Sequence, residues 1–138
     1  MLNLTILSPE RKIAEAISVQ SVTLPGSEGQ IQILPEHAEM MGTLETGLFF
    51  YIPASGAPVI GVISSGFFQV ANDKVTVMAE TFEYSSEVDP ARAKLAQKTA
   101  ENALIDPELG ADLFRKYELK LHRAVIRQQI AGKTTVDI

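Results

Sequence analysis

At 138 residues the chain suffices for one domain, or for a small domain with an appendage. It has no run of about 18 apolar residues, which excludes a membrane-crossing helix, and no cysteine, which excludes disulfides, thiolate metal sites and cysteine nucleophiles. The net charge of −5 hides an asymmetry: residues 1–88 carry three Lys and Arg against ten Asp and Glu, whereas residues 89–138 carry nine against seven.

The first half reads as short strands. Leu2–Leu7 alternates apolar and polar side chains, and its opening lacks the basic start of a secretory leader, so none is expected. Lys12–Ile17 and Val19–Leu24 read as two further strands, the second ended by Pro25-Gly26. Gly26 and Gly29 suit a tight turn, because glycine takes positive φ without steric cost. Gln30–Leu34 is a half-buried strand with Ile31 and Ile33 on one face, stopped by Pro35. Beyond it Glu36 and His37 form a polar corner before Met40 and Met41. Gly26–Ala38 is therefore a turn, a strand and a rigid corner that present side chains at a sheet edge.

Thr43–Thr46, Leu48–Ile52, Pro58–Ser64, Phe67–Ala71 and Val75–Ala79 continue the pattern, with Asn72-Asp73 as a hairpin turn. About eight to ten strands at this spacing predict an antiparallel β-sandwich over residues 1–86.

The period then changes. Asp89-Pro90 is a helix start, an acceptor for free N–H groups followed by a residue that loses no bond at the first helical position. The first helix runs to about Leu104, with Ala93, Ala96, Ala100 and Ala103 as a stripe of small residues. Ile105-Asp106-Pro107 breaks it. A second helix runs from about Glu108 to Ala131, with Leu113, Tyr117, Leu121 and Ala124 along one face and Gly132 as a C-cap. Residues 87–138 are thus an antiparallel helical hairpin with a thin apolar face, which needs a surface to lean on.

Asp89 and Arg92 lie one turn apart, and Arg123 and Arg127 are i, i+4 on the second helix, so both point the same way. Brought together, these guanidinium groups suit a phosphate. The plainer alternative is a capping Asp89 and solvated arginines. Gly132-Lys133-Thr134 is not a phosphate loop, because Arg127 stands where the first glycine is required. His37 and His122 have no metal-ligand spacing. No catalytic set is visible, so neither an enzyme nor a metal site is expected. The basic helices lack the aromatic interleaving of a nucleic-acid surface.

Several pieces, in this order and spacing, resemble the epsilon subunit of bacterial F-type ATP synthase over nearly the whole length: Leu24–Gly29, Ile33–Ala38, Glu45–Gly47, Ser65–Val70, Val75–Glu80 and Val88–Ala93. The resemblance implies a non-catalytic rotor subunit, peripheral on the cytoplasmic face of the bacterial plasma membrane. The sandwich would clamp the gamma subunit, through Met40 and Met41, and rest on the polar loops of the c-ring through Gln30, Glu36 and His37. The hairpin would fold on the sandwich or extend toward acidic loops of the beta subunits, where it inhibits ATP hydrolysis. No cofactor is required, but some members bind a regulatory ATP at the folded hairpin. Their motif matches Val88–Ala93, so Asp89, Arg92 and Ala93 are carried over, with Glu83, Arg123 and Arg127 as further contacts. The chain departs from the family pattern at Gln32, at Glu39-Met40-Met41 and at Thr99. The alternative function is a stand-alone ATP-sensing module, and an unrelated β-sandwich enzyme is the remotest third.

Overall fold

Leu2, Leu4 and Ile6 are fully buried and the residues between them are not, as the alternation of the first strand requires. A computed structural model describes residues 1–133, which form nine strands and two α-helices. The strands are β1 (Leu2–Leu7), β2 (Lys12–Gly26), β3 (Gly29–Ile33), β4 (Met40–Leu44), β5 (Gly47–Pro53), β6 (Val59–Ile63), β7 (Gly66–Ala71), β8 (Lys74–Ala79) and β9 (Phe82–Tyr84). A 3-10 turn, Ser85–Glu87, leads to α1 (Pro90–Leu104) and α2 (Ala111–Ile130).

One layer runs β1-β8-β7-β4, the other β3-β2-β5-β6-β9. The strand that belongs to both is β2. Its first half pairs with β1 from Lys12 to Val19, and its second half pairs with β5 on one side and β3 on the other. The two strands expected over Lys12–Ile17 and Val19–Leu24 are therefore one. The chain bends instead of ending: Ala16 takes φ of 47° and its N–H donates to Thr5 Oγ1 at 3.0 Å, beside a shift in the β1–β2 register. The sandwich is antiparallel except for β1 and β8, which pair in parallel from Asn3–Lys74 to Leu7–Met78.

The core between the layers is built from alternate residues, with Phe49, Phe68, Leu24, Ile33, Val70 and Val77 fully or almost fully buried. β5 and β6 differ. They read as unbroken apolar runs because both of their faces are covered. Phe49, Tyr51 and Ile63 face the sandwich core, while Phe50, Ile60 and Val62 pack with Val88, Ala93 and Ile130. The second face is what the hairpin covers. Gly66 is required by crowding: a Cβ there would lie 2.0 Å from the Met78 carbonyl oxygen on β8.

Asp89 caps α1, its carboxylate accepting from the N–H groups of Ala91 and Arg92 at 3.0 and 3.3 Å. The small-residue stripe divides between two neighbours. Ala93 is buried against the sandwich, whereas Ala96 and Ala100 face the space between the helices. α2 starts three residues later than expected, because Asp106 organises residues 106–109 into a turn by accepting from Glu108 N–H at 2.9 Å. Gly132 follows α2 with φ of 71°, the left-handed conformation that ends helices.

Candidate functional site

Two places on this frame collect the residues that the sequence singles out. The first is the free edge of β3, which pairs only with β2 among the described strands. Gln30 is exposed at its start, opposite Pro25. At its end, Leu34-Pro35-Glu36-His37 makes a turn in which His37 N–H donates to the Leu34 carbonyl at 3.2 Å. Pro35 presets φ at the second position, and Glu36 at the third has φ of 68°, the pattern of a type II turn. Glu36 is exposed and His37 half-buried. His37 Nδ1–H donates to the Ala38 carbonyl at 2.7 Å, and a carbonyl only accepts, so Nδ1 carries the proton. Gln30 lies at the opposite end of β3 from this pair, so the three residues mark one edge and not one point. Met40 and Met41 are not part of the corner. They open β4, paired with Val70 and Gln69 of β7, and Met41 is 73% exposed.

The second place is a cleft of about 500 Å³ between α1 and α2. Arg92 enters it from α1, and Lys120, Arg123 and Arg127 from α2. Ala96, Ala100, Ala124 and Tyr117 form its floor and walls, and none of the lining residues is acidic. Arg127 Nε donates to Glu83 Oε1 at 2.7 Å, and its Nη2 to Oε2 at 3.3 Å, which joins α2 to β9. Burial lowers the affinity of Arg123 for its proton, and the neighbouring Arg127 charge lowers it further; Glu83 and Glu80 oppose this only in part. A partly desolvated guanidinium beside a second one is a place where an anion gains. Asp89 and Ala93 do not line the cleft: the carboxylate is occupied by its capping bonds, and Ala93 is in the core.

Lys120 was not singled out in the sequence, and Tyr117 only as part of the apolar face of the second helix. Lys120 lies three residues before Arg123 and seven before Arg127, so extending the same helical stripe finds it. Its ammonium sits 5.4 Å from the Tyr117 ring centre.

The end of α2 is fastened nearby. Gly132 N–H donates to the Ser85 carbonyl at 3.1 Å, and Ser85 Oγ donates to the Lys133 carbonyl at 2.9 Å. Ser85 begins the turn that Arg11 also holds, through two bonds from Nη2 to the Glu87 carboxylate at 2.9 and 3.0 Å.

Residues 1–85 match the family model described as the ATP synthase, Delta/Epsilon chain, beta-sandwich domain. An ATP synthase epsilon chain of Trichlorobacter lovleyi is 39% identical over 132 residues, covering 96% of this chain and 94% of that one. The chain belongs to the ATP synthase epsilon chains. A relative of the same name from Geobacter sulfurreducens is 40% identical over 134 residues, again with 96% and 94% covered. Membership makes this an accessory chain of a rotary, membrane-bound enzyme and not the catalyst itself. Among solved structures, a chain of the Euglena gracilis mitochondrial ATP synthase, OSCP/F1/c-ring assembly has the same fold, with a TM-score of 0.81 at 20% identity over 93% of this chain and 79% of that one. A chain of the Tetrahymena thermophila mitochondrial ATP synthase central stalk/c-ring follows at 0.67 and 11%, with 95% and 96% covered. Among the described residues, no helix is long and apolar enough to cross a membrane, and no group of three or more His, Asp or Glu could hold a metal.

Proposed function

We propose that the chain is a central-stalk subunit of a proton-translocating ATP synthase rotor, with residues 1–86 as the coupling part and residues 87–138 as a mobile inhibitory part, of which 134–138 lie outside the described residues. The β3 edge, with Gln30, Glu36 and His37, rests on the polar loops of the c-ring. Met40 and Met41 meet the gamma subunit. When the hairpin lifts, the basic face of α2 meets acidic loops of the beta subunits and blocks hydrolysis. The site of action is the cytoplasmic face of the bacterial plasma membrane.

The observation that carries this reading is the way the hairpin is held. A small apolar cluster grips only its base, through Val88, Ala93 and Ile130. Toward and along its length Leu95, Ile105, Leu113 and Phe114 remain 43–79% exposed. A helix pair that covers little of its apolar surface loses little on leaving, and its outer side chains are free for a second partner. The test is deletion of everything after Val88 in the assembled synthase. ATP hydrolysis should rise several-fold, and unchanged hydrolysis would remove the inhibitory role.

A second reading concerns the cleft. The residues fit a polyphosphate: four cationic side chains and no carboxylate line it. Arg92, Lys120 and Arg123 would hold the phosphates of a regulatory ATP, with Arg127 shared between the ligand and Glu83. The bound nucleotide supplies negative charge between two helices that separate when the hairpin opens, so it favours the folded state by its differential affinity alone. Titration calorimetry on wild type and Arg92→Ala decides this, and equal heats would remove the site.

A further inference from the structure

The turn that carries Glu36 and His37 is strained, and a side chain from a remote part of the sequence holds it. With φ of 68°, Glu36 occupies a region where an L-residue crowds its Cβ against its own backbone. Glycine or asparagine is at ease in the third position of such a turn, and glutamate is not. Within the turn, the bond between His37 N–H and the Leu34 carbonyl, at 3.2 Å, is long. The short bond comes from outside: Asp73 Oδ1 accepts from Glu36 N–H at 2.7 Å, across 37 residues of sequence. A carboxylate acceptor makes it stronger than a bond between neutral groups.

Asp73 is itself fixed. With Asn72 it forms the two-residue loop of the β7–β8 hairpin, both at positive φ, of 51° and 60°, the geometry that matches strand twist. Its carbonyl accepts from Asn3 N–H at 2.8 Å, which ties the loop to β1. The Glu36 amide is thus clamped to the layer opposite β3, and the strain of its backbone is held by the frame.

We propose that Asp73 is a positioning residue for the rotor contact: it fixes the backbone of Glu36 so that the Glu36 and His37 side chains leave the sandwich edge already oriented. This rests on the reading of Glu36 and His37 as that contact. Exposed side chains on a loose turn must be ordered when a partner binds, and the ordering subtracts from affinity. Asp73 removes that loss before the partner arrives, and the Nδ1–H bond of His37 to Ala38 does the same for the ring.

Full-length chains carrying Asp73→Gly, Asp73→Asn or His37→Ala are rebound to ATP synthase stripped of its epsilon chain, and amide exchange at Glu36 is followed in the free chain. Asp73→Gly deletes the acceptor but leaves Asn-Gly, which favours the same hairpin loop, so the fold is spared. Asparagine retains an Oδ1. The expected result is Glu36 exchange about tenfold faster in Asp73→Gly and about threefold faster in Asp73→Asn, whose neutral oxygen makes the weaker bond. Binding should weaken about fivefold for Asp73→Gly, stay within twofold for Asp73→Asn, and weaken for His37→Ala. Asp73→Gly binding like wild type while His37→Ala binds weakly would overturn the positioning role and leave the contact standing. Wild-type binding by His37→Ala would overturn the contact, and this inference with it. Asp73→Asn as weak as Asp73→Gly would show that the acceptor is not what matters, and would also overturn it.

Discussion

Glu83 Oε1 lies 2.7 Å from Arg127 Nε, and this pair ties the last strand of the sandwich to the last helix of the hairpin. The two side chains are only 20% and 15% exposed, so salt screens them weakly. Arg123, which makes no ion pair among the described residues, is pushed the other way by Arg127 and drawn by Glu83. Glu83 therefore serves two guanidinium groups, and its loss should cost more than the loss of Arg127. Glu83→Ala leaves the two arginines facing each other with Glu80 as the one remaining anion that acts on Arg123. Arg127→Ala leaves Glu83 with Arg123 as a neighbour. We expect Glu83→Ala to destabilise the docked hairpin by about 2 kcal/mol and Arg127→Ala by about 1 kcal/mol. Adding Arg123→Ala to Glu83→Ala should recover part of the loss. Amide exchange along α2 measures each difference. Equal effects of the two single changes would mean that Arg123 takes no part.

Ala93 makes the second prediction. It has no exposed surface and lies among Phe50, Ile60, Val62, Val88 and Ile130. A leucine there must push α1 off the sandwich, because overpacking of this kind costs about 1–3 kcal/mol. Ala93→Leu should raise protease cutting within the hairpin while the sandwich core melts at its usual temperature. In assembled synthase the same change should shift the hairpin toward its inhibitory position and lower ATP hydrolysis. A hairpin that stays protected in Ala93→Leu would show that the base of α1 is not the docking point.

That Ala93 would face the sandwich, and Ala96 and Ala100 the other helix, was not readable from the stripe itself. A row of alanines reports close approach but not to what. The sequence was informative where one residue determines its own neighbourhood. Asp89-Pro90 announced the start of α1, and Pro35 the end of β3. It failed where pairing is remote. The parallel partnership of β1 with β8 joins segments about 70 residues apart, and no local pattern encodes it. Met40 and Met41 fell outside the strand expected from Thr43, yet they open β4 and are paired to β7. The break read after Ile17 was a bend, because an unpaired Ala16 at positive φ looks from sequence like any alanine. In the cleft, Arg92, Arg123 and Arg127 could be grouped from helical spacing. Asp73 and Ser85 could not be found, since each acts through one long-range bond.

Glu36 gives a third prediction, one in which stability and contact part ways. Relief of an unfavourable positive φ is worth about 1–2 kcal/mol, and the extra freedom of glycine in the unfolded chain takes back about 0.5–1 kcal/mol. Glu36→Gly should therefore raise stability by about 0.5 kcal/mol in denaturant titration. If Glu36 touches the rotor, the same variant should bind stripped synthase less well. A stabilised chain with unaltered binding would leave the strain without a functional reason.

Glu87 supplies the pH-dependent prediction. Partial burial alone would push its carboxyl up, but Arg11 and the N–H of Tyr84 hydrogen-bond to the ionised form and outweigh it, so the group sits below its ordinary value of 4.5. The folded chain thus holds this proton less tightly than the unfolded chain does. The stability it contributes is present in full above the unfolded value and is lost as pH falls through the lower folded one. Arg11 and Glu87 side chains are 48% and 36% exposed, so solvent limits the contribution to under about 1 kcal/mol. Wild type should exceed Glu87→Gln by that margin at neutral pH, keep it unchanged down to about pH 5, and lose it on further acidification. The margin should also shrink in high salt. Thermal melts of both chains between pH 3 and 7 test this. A margin that widens toward acid would mean that the burial of Glu87, and not its pairing with Arg11, governs the turn from which the hairpin departs.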